Sequence, residues 1–156
     1  MKAGAGNDDT LDGLSDPVLE QYFLVSDEKI RLIMDAAGVR QDDRVVELGA
    51  GAGTVARRIP RCGSLTVIEL DARLTGFLQE NAPGANVIQG DALVEVQRIP
   101  CDVLISNLPD LVTESLINIL PRLSFRTAVL AVGEESGVAR LLPEFDVSEV
   151  TTIYGD

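Results

Sequence analysis

The sequence predicts an α/β domain: a doubly wound, mostly parallel sheet of about six strands with helices on both faces. Three observations carry this. Short apolar runs without polar alternation recur along the chain, as strands covered on both faces require. Amphipathic stretches lie between them, and right-handed crossovers wind such helices onto both faces of a sheet. A glycine cluster follows directly on the first run, where sheets of this kind bind ligands. A length of 156 residues suits one domain with a core of useful size, and 46% hydrophobic against 24% charged residues favours folding over disorder.

The elements follow in order. Met1 to Gly13 is rich in Gly, Asp and Asn and has no apolar periodicity. Residues 1–25 are therefore read as an acidic, partly mobile segment able to act as a lid, and 26–156 as one domain. Ser26 suits a helix N-cap, with Asp27 and Glu28 favourably placed in the first turn. Ile30, Ile33, Met34 and Ala37 form one apolar stripe, and Gly38 ends it. The strand runs are Val45–Leu48, Leu65–Ile68, Asn86–Ile88, Val103–Ile105 and Ala128–Val132. The spacing predicts a helix from near Thr54 and others around Leu74/Phe77/Leu78, Leu93/Val96 and Leu116/Ile117/Leu120. A last helix with Val138, Leu141 and Leu142 and a final strand within Val147–Tyr154 complete the pattern.

Composition narrows the chemistry. There is no histidine, so histidine-based triads and zinc sites are excluded. Two cysteines, Cys62 and Cys101, cannot build a disulfide framework or a four-cysteine site. No metal is expected. So few cysteines make a reducing, cytoplasmic compartment the expectation, and with no apolar h-region and no run near the ~20 residues of a membrane span, no membrane partner is expected. The formal net charge is −12, carried mainly by the two ends: −6 over residues 1–28 and −5 over residues 134–156.

The strand ends carry the polar residues. After the first strand stands Glu47-Leu48-Gly49-Ala50-Gly51-Ala52-Gly53-Thr54. Its alternating glycines allow a tight turn and close approach to a ligand. Gly51, Gly53 and Ala56 also fit a dinucleotide fingerprint, with Glu69 as its acid, which would make the chain a nicotinamide-dependent oxidoreductase. Glu47 opposes a pyrophosphate, however, and suits a cationic amino-acid group or a sulfonium. Glu69 ends the second strand, where a carboxylate can accept both ribose hydroxyls; Asp71 better suits a helix cap. Asp91 follows the third strand, able either to accept from an adenine amine or to cap the next helix. Asn107-Leu108-Pro109-Asp110 follows the fourth, with an amide oxygen in the crevice or a plain turn.

Taken together, Glu47-Leu-Gly49-Ala-Gly51-Ala-Gly53, Ile68-Glu69-Leu-Asp71, Gly90-Asp91-Ala92 and Asn107-Leu108-Pro109 resemble the class I S-adenosylmethionine-dependent methyltransferases. More narrowly the chain resembles the ribosomal RNA adenine dimethyltransferases, which include the erythromycin-resistance methylases. Gln21-Tyr22-Phe23-Leu24 upstream and Val132 to Leu141 downstream extend the resemblance over most of the chain. The resemblance implies the Rossmann-like methyltransferase fold and S-adenosylmethionine as cofactor, with S-adenosylhomocysteine as product. It implies that Gly49, Gly51 and Gly53 border the methionine part, that Glu69, with Leu70 beside it, takes the ribose, that Asp91 and Ala92 meet the adenine, and that Gln21 and Leu24 close over the cofactor. Asn107, expected also to border the cofactor as Glu47 does, and the Leu108 carbonyl would accept from the substrate amine, with Pro109 and Asp110 completing the catalytic segment.

The chain departs from that family in three ways. An aromatic residue normally follows the Asn-Leu-Pro motif, and here Asp110 stands there, unable to stack on a base. Asp110 could hold an ammonium group or merely cap the helix near Thr113. The family usually continues into a helical RNA-binding domain, and this chain stops at Asp156. The dense basic cluster, Arg57, Arg58 and Arg61, reads more naturally as a solvated face than as a phosphate grip. The reading is therefore an N-methyltransferase acting on a small-molecule amine, with ribosomal RNA adenine methylation as one alternative and a non-catalytic S-adenosylmethionine-binding protein as another. A homodimer is a further expectation, from the sheet edge of a short core.

Overall fold

The computed structural model describes residues 27–133, 136–138 and 143–149. Helix α1, Asp27–Ala37, opens with two acids against its positive end and closes at Gly38, whose φ of 54° fits the left-handed residue after a helix. Strands β1 (Arg44–Leu48), β2 (Ser64–Glu69), β3 (Asn86–Gln89), β4 (Val103–Ser106) and β5 (Thr127–Leu130) form one sheet in the order β3-β2-β1-β4-β5. All four pairings are parallel. Helices α2 (Thr75–Asn81), α3 (Ala92–Glu95) and α4 (Asp110–Ile119) make the crossovers.

The pleat sorts the side chains. Val45, Val103 and Ile105 face α1, where Ile30 and Ala37 bury against them. Val46, Leu48, Ile68 and Leu104 face the other way, onto Ala92 and Val96 and onto Leu116, Ile117 and Leu120. Both faces of the central strands are dry, which is why these strands read as continuous apolar runs. Each fully buried Leu or Ile contributes roughly 1.5–3 kcal/mol of apolar burial.

Five strands appear among the described residues, against about six expected. Val147–Glu149 carry no strand, and the rest of the final run lies outside the described residues, as do Ser26, Leu141 and Leu142. The helix expected from near Thr54 is a single 3-10 turn, Ala56–Arg58. Pro60 explains the correction: the preceding residue is pushed to extended backbone, and Ile59 indeed has ψ 127°. Arg58 is tied to Asp27 at 2.6 Å, while Arg57 and Arg61 are exposed.

The amino ends of the strands are clasped by charge. Asp43, just before β1, accepts from both terminal nitrogens of Arg126 at 2.7 and 2.6 Å and from the Arg40 backbone N–H at 2.7 Å. Asp102, just before β4, accepts from the Arg44 backbone N–H, Nε and Nη2. A 320 Å³ cavity, lined in part by Ile99, Cys101, Leu123 and Phe125, also lies at this amino end, opposite the end where the glycine loop sits.

The Arg126 side-chain hydrogen bonds hold the Asp43 carboxyl down at about 2, and those of Arg44 hold Asp102 lower still. Both folded values lie below the unfolded ones, so the stabilisation is present above about pH 4 and is lost as pH falls toward 2. Arg126→Ala is expected to lower the urea midpoint at pH 7, with the gap to wild type closing between pH 4 and pH 2. Urea titrations at those pH values read it directly, and a gap independent of pH would remove the ion pair as its cause.

No helix among the described residues is long and apolar enough to cross a membrane.

Candidate functional site

The carboxyl ends of β1, β2 and β4 converge on one crevice. Beyond β1 the chain turns through Gly49, Gly51 and Gly53, with φ of 69°, 58° and 89°. This left-handed backbone is what reserves the positions for glycine. Gly49 also has no room: a Cβ there would lie 2.6 Å from the Asn107 carbonyl oxygen and 2.8 Å from Leu108 Cδ2. The glycine loop and the Asn107-Leu108 segment are therefore in contact, although they are far apart in sequence.

Hydrogen bonds fix the loop. Gly49 and Ala50 donate to the Ile68 carbonyl at 3.0 and 3.3 Å, and Asn107 donates its backbone N–H to Leu48 at 3.2 Å. Glu69 is buried at the end of β2. Its Oε1 accepts from Gly51 N–H at 2.9 Å and its Oε2 from Asp71 N–H at 2.8 Å. A carboxylate has about four acceptor sites, so two remain open beside these bonds. Leu70, next along, is 65% exposed, an apolar surface at the rim.

Asp71 takes the capping role expected of it, accepting from Arg73 N–H and from the Arg73 guanidinium. Asp91 also caps, receiving Leu93 N–H at 2.9 Å on Oδ1, while Ala92 is buried beside it. Gly90 N–H donates to the Glu69 carbonyl at 3.0 Å, which brings the Asp91 turn alongside β2.

At the end of β4, Pro109 occupies the cap position of α4 and its carbonyl receives Thr113 N–H at 2.9 Å. Asp110 is consequently not a cap for Thr113. It is exposed in the first helical turn, where the helix dipole favours a carboxylate. Its carboxylate rests near Gly133, beyond β5: a Cβ on Gly133 would meet Oδ2 at 3.0 Å. The Leu108 carbonyl receives the Thr113 hydroxyl at 3.2 Å and keeps one lone pair. No hydrogen bond holds the Asn107 amide among the described residues. Gln21 and Leu24 lie outside the described residues.

Two buried polar atoms at the strand ends lack a partner among the described residues, Glu47 Oε2 and Ser106 Oγ. Burial, with the nearby Glu69 charge, pushes the Glu47 carboxyl up to about 8. Sequence reasoning missed Asn81, whose amide Nδ2 donates to the Ala52 carbonyl at 2.6 Å and pins the glycine loop to the end of α2. It gave Ser106 and Gly133 no site role, although Gly133 falls within the downstream stretch that carries the resemblance. Among the described residues no cluster of acidic or cysteine side chains could hold a metal ion.

The strand order β3-β2-β1-β4-β5 with a glycine loop after β1, an acid closing β2 and an Asn-Leu-Pro turn after β4 defines the Rossmann-like methyltransferase fold. A dimethyladenosine transferase from Plasmodium falciparum shares it, 23% identical with a TM-score of 0.67 over 80% of this chain and 47% of that one. The family model "Ribosomal RNA adenine dimethylase" matches residues 16–149, and the chain belongs to that family. A probable ribosomal RNA small subunit methyltransferase A from Methanopyrus kandleri is 32% identical over 123 residues, 75% of this chain and 44% of that protein. The structure of the 23S rRNA methyltransferase ErmE is 26% identical, with a TM-score of 0.65 over 73% of this chain and 49% of that one. The chain spans about half the length of the curated relatives it matches.

Proposed function

We propose that this chain is an S-adenosylmethionine-dependent N-methyltransferase whose acceptor is an adenine amine of RNA. The observation that carries the reading is the contact of Gly49 with the Asn107 backbone carbonyl and the Leu108 side chain, which sets the glycine loop against the segment that bears the two amine-accepting groups. Family membership and the relatives named as ribosomal RNA methyltransferases support the RNA acceptor over the small-molecule amine that the sequence favoured.

The residues present fit the cofactor. A loop of left-handed glycines turns the backbone tightly over the end of β1, Glu69 keeps acceptor sites for a ribose, and Glu47 supplies a buried carboxyl oxygen without a partner among the described residues. The sulfonium supplies an already activated methyl group, so the protein's task is position and orientation. The Asn107 amide oxygen and the free lone pair of the Leu108 carbonyl would hold the amine hydrogens. That aims the nitrogen lone pair and stabilises the charge developing on nitrogen. Leu70 and Ala92 would flank the adenine, with Asp91 at its amine.

A second reading, a small cationic amine as acceptor, is favoured by Asp110. An exposed carboxylate beside the Asn107 turn suits an ammonium group and offers no stacking surface to a base. Methyl-group transfer from labelled cofactor distinguishes the two. The purified protein is given undermethylated ribosomal RNA in one arm and a panel of small amines in the other. Label in RNA that is kept or raised in Asp110→Tyr supports the leading reading. Label in an amine that is lost in Asp110→Ala supports the second. Saturable cofactor binding with no transfer in either arm would leave a non-catalytic binding protein.

A further inference from the structure

Glu47 is a buried acid for which the transfer step above has no use. It is 1% exposed, and its Oε2 has no hydrogen-bond partner among the described residues. Its strand position pairs it with Val67 on β2 and Ile105 on β4, so its own sheet neighbours are apolar. The elements packed on that face add Ile30 from α1 and Val55 and Ala56 from beyond the glycine loop. The charge that reaches Glu47 is that of Glu69, a second carboxylate, itself bonded to Gly51 of the same loop. An ionised Glu47 in this setting would be an unpaired buried charge beside another of the same sign, an expensive arrangement. Burial and the Glu69 charge accordingly hold its acid up to about 8. A cation placed a few ångströms away reverses the balance.

We propose that Glu47 carries a proton in the ligand-free protein and releases it to solvent when the cationic end of the cofactor docks at the glycine loop, one proton leaving for each ligand bound. This rests on the methyltransferase reading. The O–H bond of the Glu47 acid breaks, its electron pair stays on the carboxylate, and the ligand's positive charge takes the place of the proton. The cation has two sources, the ammonium shared by S-adenosylmethionine and S-adenosylhomocysteine and the sulfonium of the former alone. Binding then depends on pH: affinity tightens by up to about tenfold per pH unit as pH rises toward the Glu47 value of about 8; above it, affinity stays level if the sulfonium is the cation and falls if the ammonium is, because the ammonium loses its own proton there.

Isothermal titration calorimetry of the full chain with each ligand, at pH 7 in buffers of different ionisation enthalpy, counts the protons. Close to one proton released on binding, and none in Glu47→Gln, is the expected result. Release with both ligands assigns it to the ammonium, and release with S-adenosylmethionine alone assigns it to the sulfonium. Saturable binding without proton release, or equal release from Glu47→Gln, overturns the proposal and leaves the methyltransferase reading standing. Absence of binding by either ligand overturns both. The wild-type count at pH 7 and the loss of net release at pH 9.5 stand even if the variant folds poorly.

Discussion

Gly49→Ala is expected to lose about 2–5 kcal/mol of stability and the ability to bind cofactor. Two costs add. A left-handed backbone conformation costs an L-residue roughly 1–2 kcal/mol, and forcing an extra carbon into a filled space costs roughly 1–3. The added carbon meets a backbone carbonyl at 2.6 Å, which cannot swing aside as a side-chain tip can. For a domain of this size the loss corresponds to a melting-temperature drop of roughly 4–20 °C. Gly76, inside α2, is the matched control, because a Cβ there meets nothing within 4 Å. Gly76→Ala is expected to gain about 0.5–1 kcal/mol from helix propensity. Thermal unfolding of both variants decides the matter: a Gly49→Ala protein as stable as wild type would show that the loop and the Asn107 turn are not in contact.

Asn107→Ala is expected to lower turnover about 100-fold or more while the dissociation constant for S-adenosylhomocysteine stays within about twofold. That magnitude is typical for removal of one group that stabilises charge developing in a transition state. The split follows from geometry. The Asn107 backbone, which the substitution leaves in place, makes the bond to Leu48 and the contact with Gly49. Its amide has no partner among the described residues, so stability should change little. Single-turnover methyl transfer alongside calorimetric binding separates the two effects, and near wild-type turnover would move the amine-holding role to another group.

Much of the sheet was legible because parallel strands covered on both faces leave unbroken apolar runs. Val45–Leu48, Leu65–Ile68 and Val103–Ile105 all fall inside observed strands. The glycine loop was legible because positive φ selects for glycine, and Glu69 because it closes a strand. What stayed hidden depends on distance or on competition. Thr54 promised a helix, yet Pro60 allows one turn before the chain must extend. Asn81 reaches a carbonyl 29 residues away, and Arg126 reaches an acid 83 residues away, with no local signal for either. Asp91 could cap a helix or meet an adenine, and the structure shows that it does cap α3. The unusual state of Glu47 was invisible in its spacing, because it depends on which side of the pleat a strand residue takes and on what covers that side.

The strand order has a kinetic consequence. β1 pairs on one side with β2, its near neighbour in sequence, and on the other with β4, so that Leu48 meets Ser106 across a separation of 58 residues. Long-range pairing of this kind requires a large loop to close before any contact rewards it, and it slows folding. The portion through β3 can assemble by successive local crossovers. Asn107 reaches the glycine loop only when β4 slots in beside β1. A chain still emerging during synthesis would thus form the glycine-loop half first, and the Asn107 turn would arrive as the last part of the crevice to be built.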